Sequence, residues 1–103
     1  MSTNDEQTLP ARYPVTQEDG ARLHEKPIKF EGVPVDSGPE AGTLAAGEGV
    51  LMVYTDGREG WAEIHTDAHL GPIPVGRQII ALSEETFRRV RETPDGLFLQ
   101  GRG

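Results

Sequence analysis

The stretch that decides the fold is Gly49-Val-Leu-Met-Val-Tyr-Thr55, followed by Asp56-Gly57 and then by a second run, Trp61-Ala-Glu-Ile-His-Thr66. The first run is rich in β-branched and aromatic residues, which favour strands. It ends at an Asp-Gly pair, a dipeptide typical of tight hairpin turns. The second run alternates apolar and polar residues at the distance expected for a returning strand. The sequence therefore predicts an antiparallel hairpin.

The two strands of this hairpin differ in the character of their faces. The first strand is apolar on both sides, with one side carrying Val50, Met52 and Tyr54 and the other carrying Leu51 and Val53. A strand that is apolar on both faces is typical of the centre of a sheet. The core side of the second strand is predicted to carry Ala62, Ile64, Thr66, Ala68 and Leu70. Its opposite side is predicted to carry Trp61, Glu63, His65, Asp67 and His69.

A third strand is predicted from Ile73 to Leu82. It contains Pro74 and Gly76, and both residues weaken the interior of a sheet. The pattern therefore indicates an edge strand or a β-bulge.

A helix is predicted from Glu84 to about Glu92, with Ser83 as its N-cap. Acidic residues at its start and arginines near its end suit the helix dipole. Leu97 to Leu99 then predicts a last short strand. The predicted fold class is α+β, with a small antiparallel sheet of three to five strands, open or barrel-like, and one α-helix in the C-terminal half.

The first half of the chain is rich in proline and glycine, which interrupt regular elements. We expect residues 1–47 to form an extended, polar Pro/Gly-rich N-terminal arm with short extended segments, and residues 48–103 to form the domain. Within the arm, Thr16 is a candidate N-cap for a short helix that reaches His24. The arm would act as a strap that orders on contact with a partner.

Composition narrows the classes of function. The chain has 103 residues, a net charge of −7 and no cysteine. The negative charge argues against nucleic acid as a partner, because binding to phosphates depends on clustered lysine and arginine. No apolar stretch approaches the length of a membrane span, and the acidic start is unlike a signal peptide. We therefore expect a cytoplasmic protein without a membrane partner.

Metal binding is one hypothesis for the predicted hairpin. His65, Asp67 and His69 alternate along one strand, so two imidazoles and a carboxylate would share a face. At about 3.3 Å per residue, however, the two histidines lie about 13 Å apart on a straight strand. One ion could then bind a neighbouring pair only, with further ligands from other residues. The other interpretation is a polar strand face that runs into a turn.

A protein-binding surface is the second hypothesis for the same strands. Trp61 is the only tryptophan, and aromatic residues of this kind anchor many protein contacts. It could instead pack beneath the N-terminal arm. The residues predicted to line the binding surface are Trp61, Glu63, His65, Met52 and Tyr54.

A third group of candidates is basic. Arg88, Arg89 and Arg91, with Arg77 nearby in sequence, could bind phosphate or an acidic partner. Glu84 and Glu85 lie one helical turn before the first two arginines, so surface salt bridges are the simpler interpretation.

No nucleophile elbow, phosphate-binding loop or dinucleotide fingerprint occurs in the chain. The sequence therefore favours a non-enzymatic protein–protein interaction module. Such a module would be an accessory, assembly or inhibitor protein, as small phage proteins often are, and would bind a protein partner or copies of itself. The alternative is a small metal-binding domain or metal-dependent enzyme that uses His65, Asp67 and His69. A weaker alternative is an acidic regulator that imitates nucleic acid. No cofactor other than a divalent metal is implied.

Overall fold

A computed structural model describes residues 12–35, 42–70 and 72–101, except for the side chains of residues 68–70. Seven strands and two short helices make up this part of the chain. In chain order they are β1 (Tyr13–Pro14), α1 (Gln17–Leu23), β2 (Lys26–Pro34), β3 (Leu44–Thr55), β4 (Glu59–Leu70), β5 (Ile73–Leu82), α2 (Glu84–Phe87), β6 (Val90–Thr93) and β7 (Gly96–Gln100).

All the strands belong to one curled sheet. Its order is β1-β4-β3-β2-β7-β6, and β5 pairs with β4. The pairing of β2 with β7 is parallel, whereas every other pairing is antiparallel. The end of β2 and the end of β5 line one small cavity of about 30 Å³. The curl of the sheet therefore brings these two distant strands near each other.

The predicted hairpin is confirmed in β3 and β4. Tyr54 pairs with Trp61 and Val50 pairs with His65, so the register runs without interruption along this hairpin. Asp56 closes the turn, because its Oδ1 accepts hydrogen bonds from the amides of Arg58 and Glu59 at 2.9 and 3.0 Å. Strand β3 lies between β2 and β4, as its two apolar faces predicted.

The core fills the concave side of the sheet. Leu51 and Val53 of β3 and Ala62 and Ile64 of β4 are buried there, as the alternation predicted. Strands β2, β5 and β7 add further apolar residues to the same cluster, and helices α1 and α2 each contribute one. These additional core residues are Ile28, Phe30, Val33, Ile80, Leu82, Leu97, Leu99, Leu23 and Phe87.

The predicted fold class was wrong. The sheet is mixed and curled with seven strands, in place of a small antiparallel sheet of three to five. The structure is mostly β, and its two helices are too short for an α+β layer. The reason is that chain segments interpreted as arm and helix contribute strands to the sheet.

The predicted N-terminal arm was part of that error over residues 12–35 and 42–47, whereas its residues 1–11 and 36–41 lie outside the described part of the chain. Strand β2 lies inside the sheet, with β3 on one side and β7 on the other. Pro27 and Pro34 lie near its two ends, where a missing N–H interrupts few hydrogen bonds. Gly32 lies at the register shift of β2 with a φ of 67°, a backbone conformation that favours glycine. The proline and glycine residues that suggested a loop are therefore compatible with a bent strand.

The long C-terminal helix was also wrong. Ser83 caps α2 as predicted, since its Oγ accepts a hydrogen bond of 3.2 Å from the amide of Thr86. The helix ends at Phe87, however, and β6 begins at Val90. Val90 is β-branched and pairs with Leu99 of β7. The hydrogen bonds of this ladder outweigh the helix propensity of the local sequence.

The short helix capped by Thr16 is confirmed as α1. Thr16 and Asp19 form a reciprocal capping box, with both hydrogen bonds at 3.1 Å. Strand β5 is an edge strand with a register shift near Gly76, as predicted. Within the described residues, no helix is both long and apolar enough to span a membrane.

Candidate functional site

The convex side of β3, β4 and β5 carries a continuous set of aromatic, apolar and charged side chains, which we call the outer face. Cross-strand pairing places its residues in rows. These rows are Tyr54 with Trp61, Met52 with Glu63 and Ala81, Val50 with His65 and Ile79, and Asp67 with Arg77. Opposite residues in neighbouring strands share a face and lie in contact range.

An aromatic cluster forms one end of the outer face. The rings of Tyr54 and Trp61 lie 5.0 Å apart between centroids, tilted by 36°. The imidazole of His24 meets the edge of Tyr54 at 6.1 Å. The guanidinium of Arg12 lies 5.7 Å from the centre of the Trp61 ring, within range of a cation–π interaction. The single tryptophan is therefore held between a ring and a cation.

Glu63 is the polar centre of the outer face. Its Oε2 accepts a hydrogen bond of 3.3 Å from the indole nitrogen of Trp61, and its Oε1 lies 2.9 Å from Nε2 of His65. Burial raises the pKa of Tyr54, and the charge of Glu63 and a hydrogen bond to this carboxylate raise it further. Tyr54 is therefore neutral at physiological pH. The carboxylate orients the two neighbouring rings of β4.

Apolar side chains lie beside this polar centre. Val50 and Ile79 flank His65 from the two neighbouring strands, with 38% and 51% of their surface exposed. A groove of about 400 Å³ runs past Val50, Met52 and His65 to Asp67. Large aliphatic side chains exposed together on a sheet face are a feature of contact surfaces.

The structure brings together all five residues predicted for the binding surface, namely Trp61, Glu63, His65, Met52 and Tyr54. Sequence reasoning missed four neighbours on the same face, Ile79, Ala81, Arg77 and Arg12. The alternation of Ile79 and Ala81 with buried residues of β5 is a signal that could have found the first two. The contact of Arg12 with Trp61 has no local signal.

The predicted metal ligands are only partly described. His65 and Asp67 lie on the outer face, but His65 is engaged with Glu63 and Asp67 lies opposite Arg77. The side chain of His69 lies outside the described residues. The described part of the chain contains no group of three or more His, Asp or Glu side chains that could hold a metal ion. The metal site stays a prediction.

The predicted basic residues divide into two locations. Arg88, Arg89 and Arg91 line one groove beside β7. Arg77 belongs to the outer face instead, because β5 places it opposite Asp67. The four arginines are therefore not one patch.

Comparisons of the chain with protein-family models, with curated proteins and with solved structures found no match.

Proposed function

We propose that this protein is a non-enzymatic protein–protein interaction module whose contact surface is the outer face. The proposal rests on one observation, which is that Tyr54, Trp61 and Met52 share this face with the exposed residues Val50 and Ile79. Tryptophan, tyrosine and methionine are enriched where proteins contact each other. Their presence on a single sheet face supports binding of another protein chain.

The arrangement of the face also supports binding. Glu63 fixes Trp61 and His65 through hydrogen bonds, and Arg12 stacks on the indole. Side chains held in place before binding lose little conformational entropy when a partner arrives. The aromatic end of the face is therefore suited to act as the anchor of an interface.

We propose that the molecule that binds this face is a second copy of the chain. The chain has a net charge of −7, so most approaches between two copies are repulsive. On the outer face cations accompany the carboxylates, because Arg77 lies opposite Asp67 and Arg12 lies over the Trp61 ring beside Glu63. Two such faces can approach with less repulsion than other surfaces. Sheets that pack face to face lie about 10 Å apart, a distance that these side chains can fill.

The size of the face indicates a reversible complex. The face is three strands wide, at about 4.8 Å per strand, and about six residues long. Its projected area is therefore roughly 300 Å². A stable dimer usually buries about 800 Å² per partner. Interfaces below the standard size are typical of weak, transient complexes, so we expect association that depends on protein concentration.

Sedimentation velocity and Trp61 fluorescence test the proposal together, since the chain contains one tryptophan. With rising concentration we expect a shift toward the dimer and a change in the emission maximum of Trp61. The variant Ile79→Lys should remain monomeric at concentrations at which the wild type associates. The matched control is Ile73→Lys, which changes an isoleucine of 60% exposure that pairs with Leu70 at the far end of β5, outside the rows of the outer face, and should associate like the wild type. A wild-type protein that is monomeric at every concentration, with constant Trp61 emission, would overturn the proposal.

A further inference from the structure

A second surface lies at the other end of the sheet, where α2 turns into β6. It is a groove of about 450 Å³ lined by Arg88, Arg89, Arg91, Phe98, Gln100 and Gly101. We call it the arginine groove. In the sheet order β2 and β7 separate β6 from the outer-face strands β3 and β4. The arginine groove is therefore separate from the outer face.

The register of the sheet places cations on both sides of an aromatic residue in this groove. Phe98 pairs with Arg91 of β6 on one side and with Lys29 of β2 on the other. Paired residues share a face, and neighbouring strands lie about 4.8 Å apart. Phe98 is half-buried, whereas Lys29 and Arg91 are exposed. An apolar ring with a cation on either side therefore lines the sheet surface.

The arginines of the groove differ in how far their charge is neutralised. The guanidinium of Arg88 forms salt bridges with Asp19 at 3.5 Å and with Glu84 at 3.8 Å. It also donates a hydrogen bond to the carbonyl of Pro14. It is a structural residue that joins α2 to α1 and β1.

Arg89 and Arg91 form fewer ion pairs than Arg88. Arg89 donates from Nη1 to the carbonyl of Gly101 at 2.7 Å, and its Nη2 lies 3.7 Å from Glu85, whose side chain is 81% exposed. An exposed pair of this kind contributes little stability. Within the described residues, neither Arg91 nor Lys29 makes a salt bridge. On the β2 side, Glu48 lies opposite Lys29 and Glu31 lies opposite Gln100, so the cations of the groove that are least neutralised are Arg91, at the β6 edge, and Arg89 beside it.

We infer that the arginine groove binds an acidic segment of a partner protein. Carboxylates of this segment would contact Arg91 and Arg89, and an apolar side chain would pack on Phe98. Guanidinium groups match the two oxygens of a carboxylate and bind it through paired hydrogen bonds. The hydrogen bond to Gly101 already orients the side chain of Arg89.

The edge of the sheet offers a backbone partner for such a segment. In the described part of the chain β6 pairs only with β7, so its other edge has no strand beside it. An extended peptide can add a strand to an edge of this kind, with alternate side chains placed on one face of the sheet. Those side chains would lie beside Arg91, which is on the face that carries Phe98. Backbone pairing and charge therefore favour the same extended ligand.

A protein segment fits this groove better than nucleic acid does. Proteins that bind duplex DNA strongly neutralise about six to ten phosphates, whereas the groove offers two accessible cations, Arg89 and Arg91. The overall negative charge of the chain also repels a long polyanion. A short acidic segment presents a few carboxylates and an apolar anchor, which is the number and kind of group that the groove can bind.

An NMR titration with acidic peptides tests the inference. The probe is a degenerate pool of octapeptides with aspartate or glutamate at alternate positions and apolar residues between them. Added to ¹⁵N-labelled protein, the pool should cause saturable shifts at the amides of Arg91, Phe98 and Gln100. A matched pool with asparagine and glutamine in place of the acids should cause none of these shifts. The inference does not rest on the proposed self-association, and Ile79→Lys should bind the acidic pool like the wild type.

Charge reversals supply the controls. Arg91→Glu should weaken binding of the acidic pool about tenfold, the effect of one charge-assisted contact. Arg58→Glu makes the same change of charge at an exposed position in the β3–β4 turn, and it should leave the affinity for the acidic pool unchanged. Equal shifts with the neutral pool, equal weakening by Arg58→Glu, or no saturable shift at millimolar peptide would each overturn the inference. Tighter binding of an eight-nucleotide thymidine oligomer would assign the groove to nucleic acid instead.

Discussion

The hydroxyl of Tyr13 donates a hydrogen bond of 2.9 Å to the backbone carbonyl of Leu82, far along the chain. The same hydroxyl accepts a hydrogen bond of 3.1 Å from the amide of Ala62. Ala62 and Leu82 are cross-strand partners in β4 and β5. The phenol of Tyr13 therefore bridges two strands at the end of their ladder, and it ties the first described strand to the rest of the sheet.

The bridge predicts that Tyr13→Phe destabilises the protein by about 1–3 kcal/mol, because the substitution leaves a buried carbonyl and a buried amide without a partner. Urea denaturation followed by far-UV circular dichroism measures the loss. Tyr54→Phe is the matched control, since Tyr54 is only half-buried, and it should cost less. Equal stabilities for the two variants would contradict the bridging role of Tyr13.

Asp19 gives a prediction about pH. Partial burial opposes its ionisation, but hydrogen bonds from Thr16 and Arg22 and the charge of Arg88 hold its pKa below the ordinary value of 3.8. A carboxyl with a lowered pKa stabilises the fold above the pKa of the unfolded chain, and this contribution is lost as the pH falls through the folded value.

We therefore expect Asp19→Asn to cost about 1 kcal/mol at pH 7, the usual magnitude for a helix-capping contact. The difference from the wild type should shrink as the pH falls below 3.8. Thermal unfolding of both proteins at several pH values measures it. A difference that stays constant across this range would show that the charge of Asp19 does not contribute.

Gly60 predicts a steric limit beside the β3–β4 turn. A Cβ atom at this position would lie 1.8 Å from the backbone oxygen of Tyr54, which cannot move without breaking the hairpin. Gly60→Ala should therefore destabilise the protein by about 3 kcal/mol. In Gly20→Ala the nearest atom is a side-chain methyl of Thr55 at 3.3 Å, and alanine favours the helix. That control should stay within about 1 kcal/mol of the wild type in the same denaturation assay.

The polar centre of the outer face predicts a change in the titration of Tyr54. Glu63→Gln removes a negative charge that raises the pKa of Tyr54, so this pKa should fall toward its ordinary value of 10.0. Burial persists in the variant and should keep part of the shift. Tyrosine labelled with ¹³C at Cζ separates Tyr54 from Tyr13 in an NMR titration. Glu59→Gln, at an exposed position, should leave the value unchanged.

The hairpin and both helix starts could be predicted because their signals are local. Alternation along β3 and β4 specifies which side chains are buried, and the Asp56 turn fixes how the strands meet. These two features also placed the five predicted contact residues on one face. The charge balance of that face could not be predicted in full, because Arg77 reaches Asp67 only through the register of β5.

Local sequence by itself determined the β3–β4 hairpin, the caps at Thr16 and Ser83, and which side of β4 is polar. Each of these depends on residues within a few positions of one another. Only the tertiary structure decided that β2 lies between β3 and β7, and that α2 ends at Phe87 so that β6 can form. The parallel pairing of β2 with β7 joins residues far apart in the chain. Its hydrogen bonds and buried apolar surface arise only when both strands are in place, so they outweigh the local preferences that proline, glycine and the helix-forming residues express.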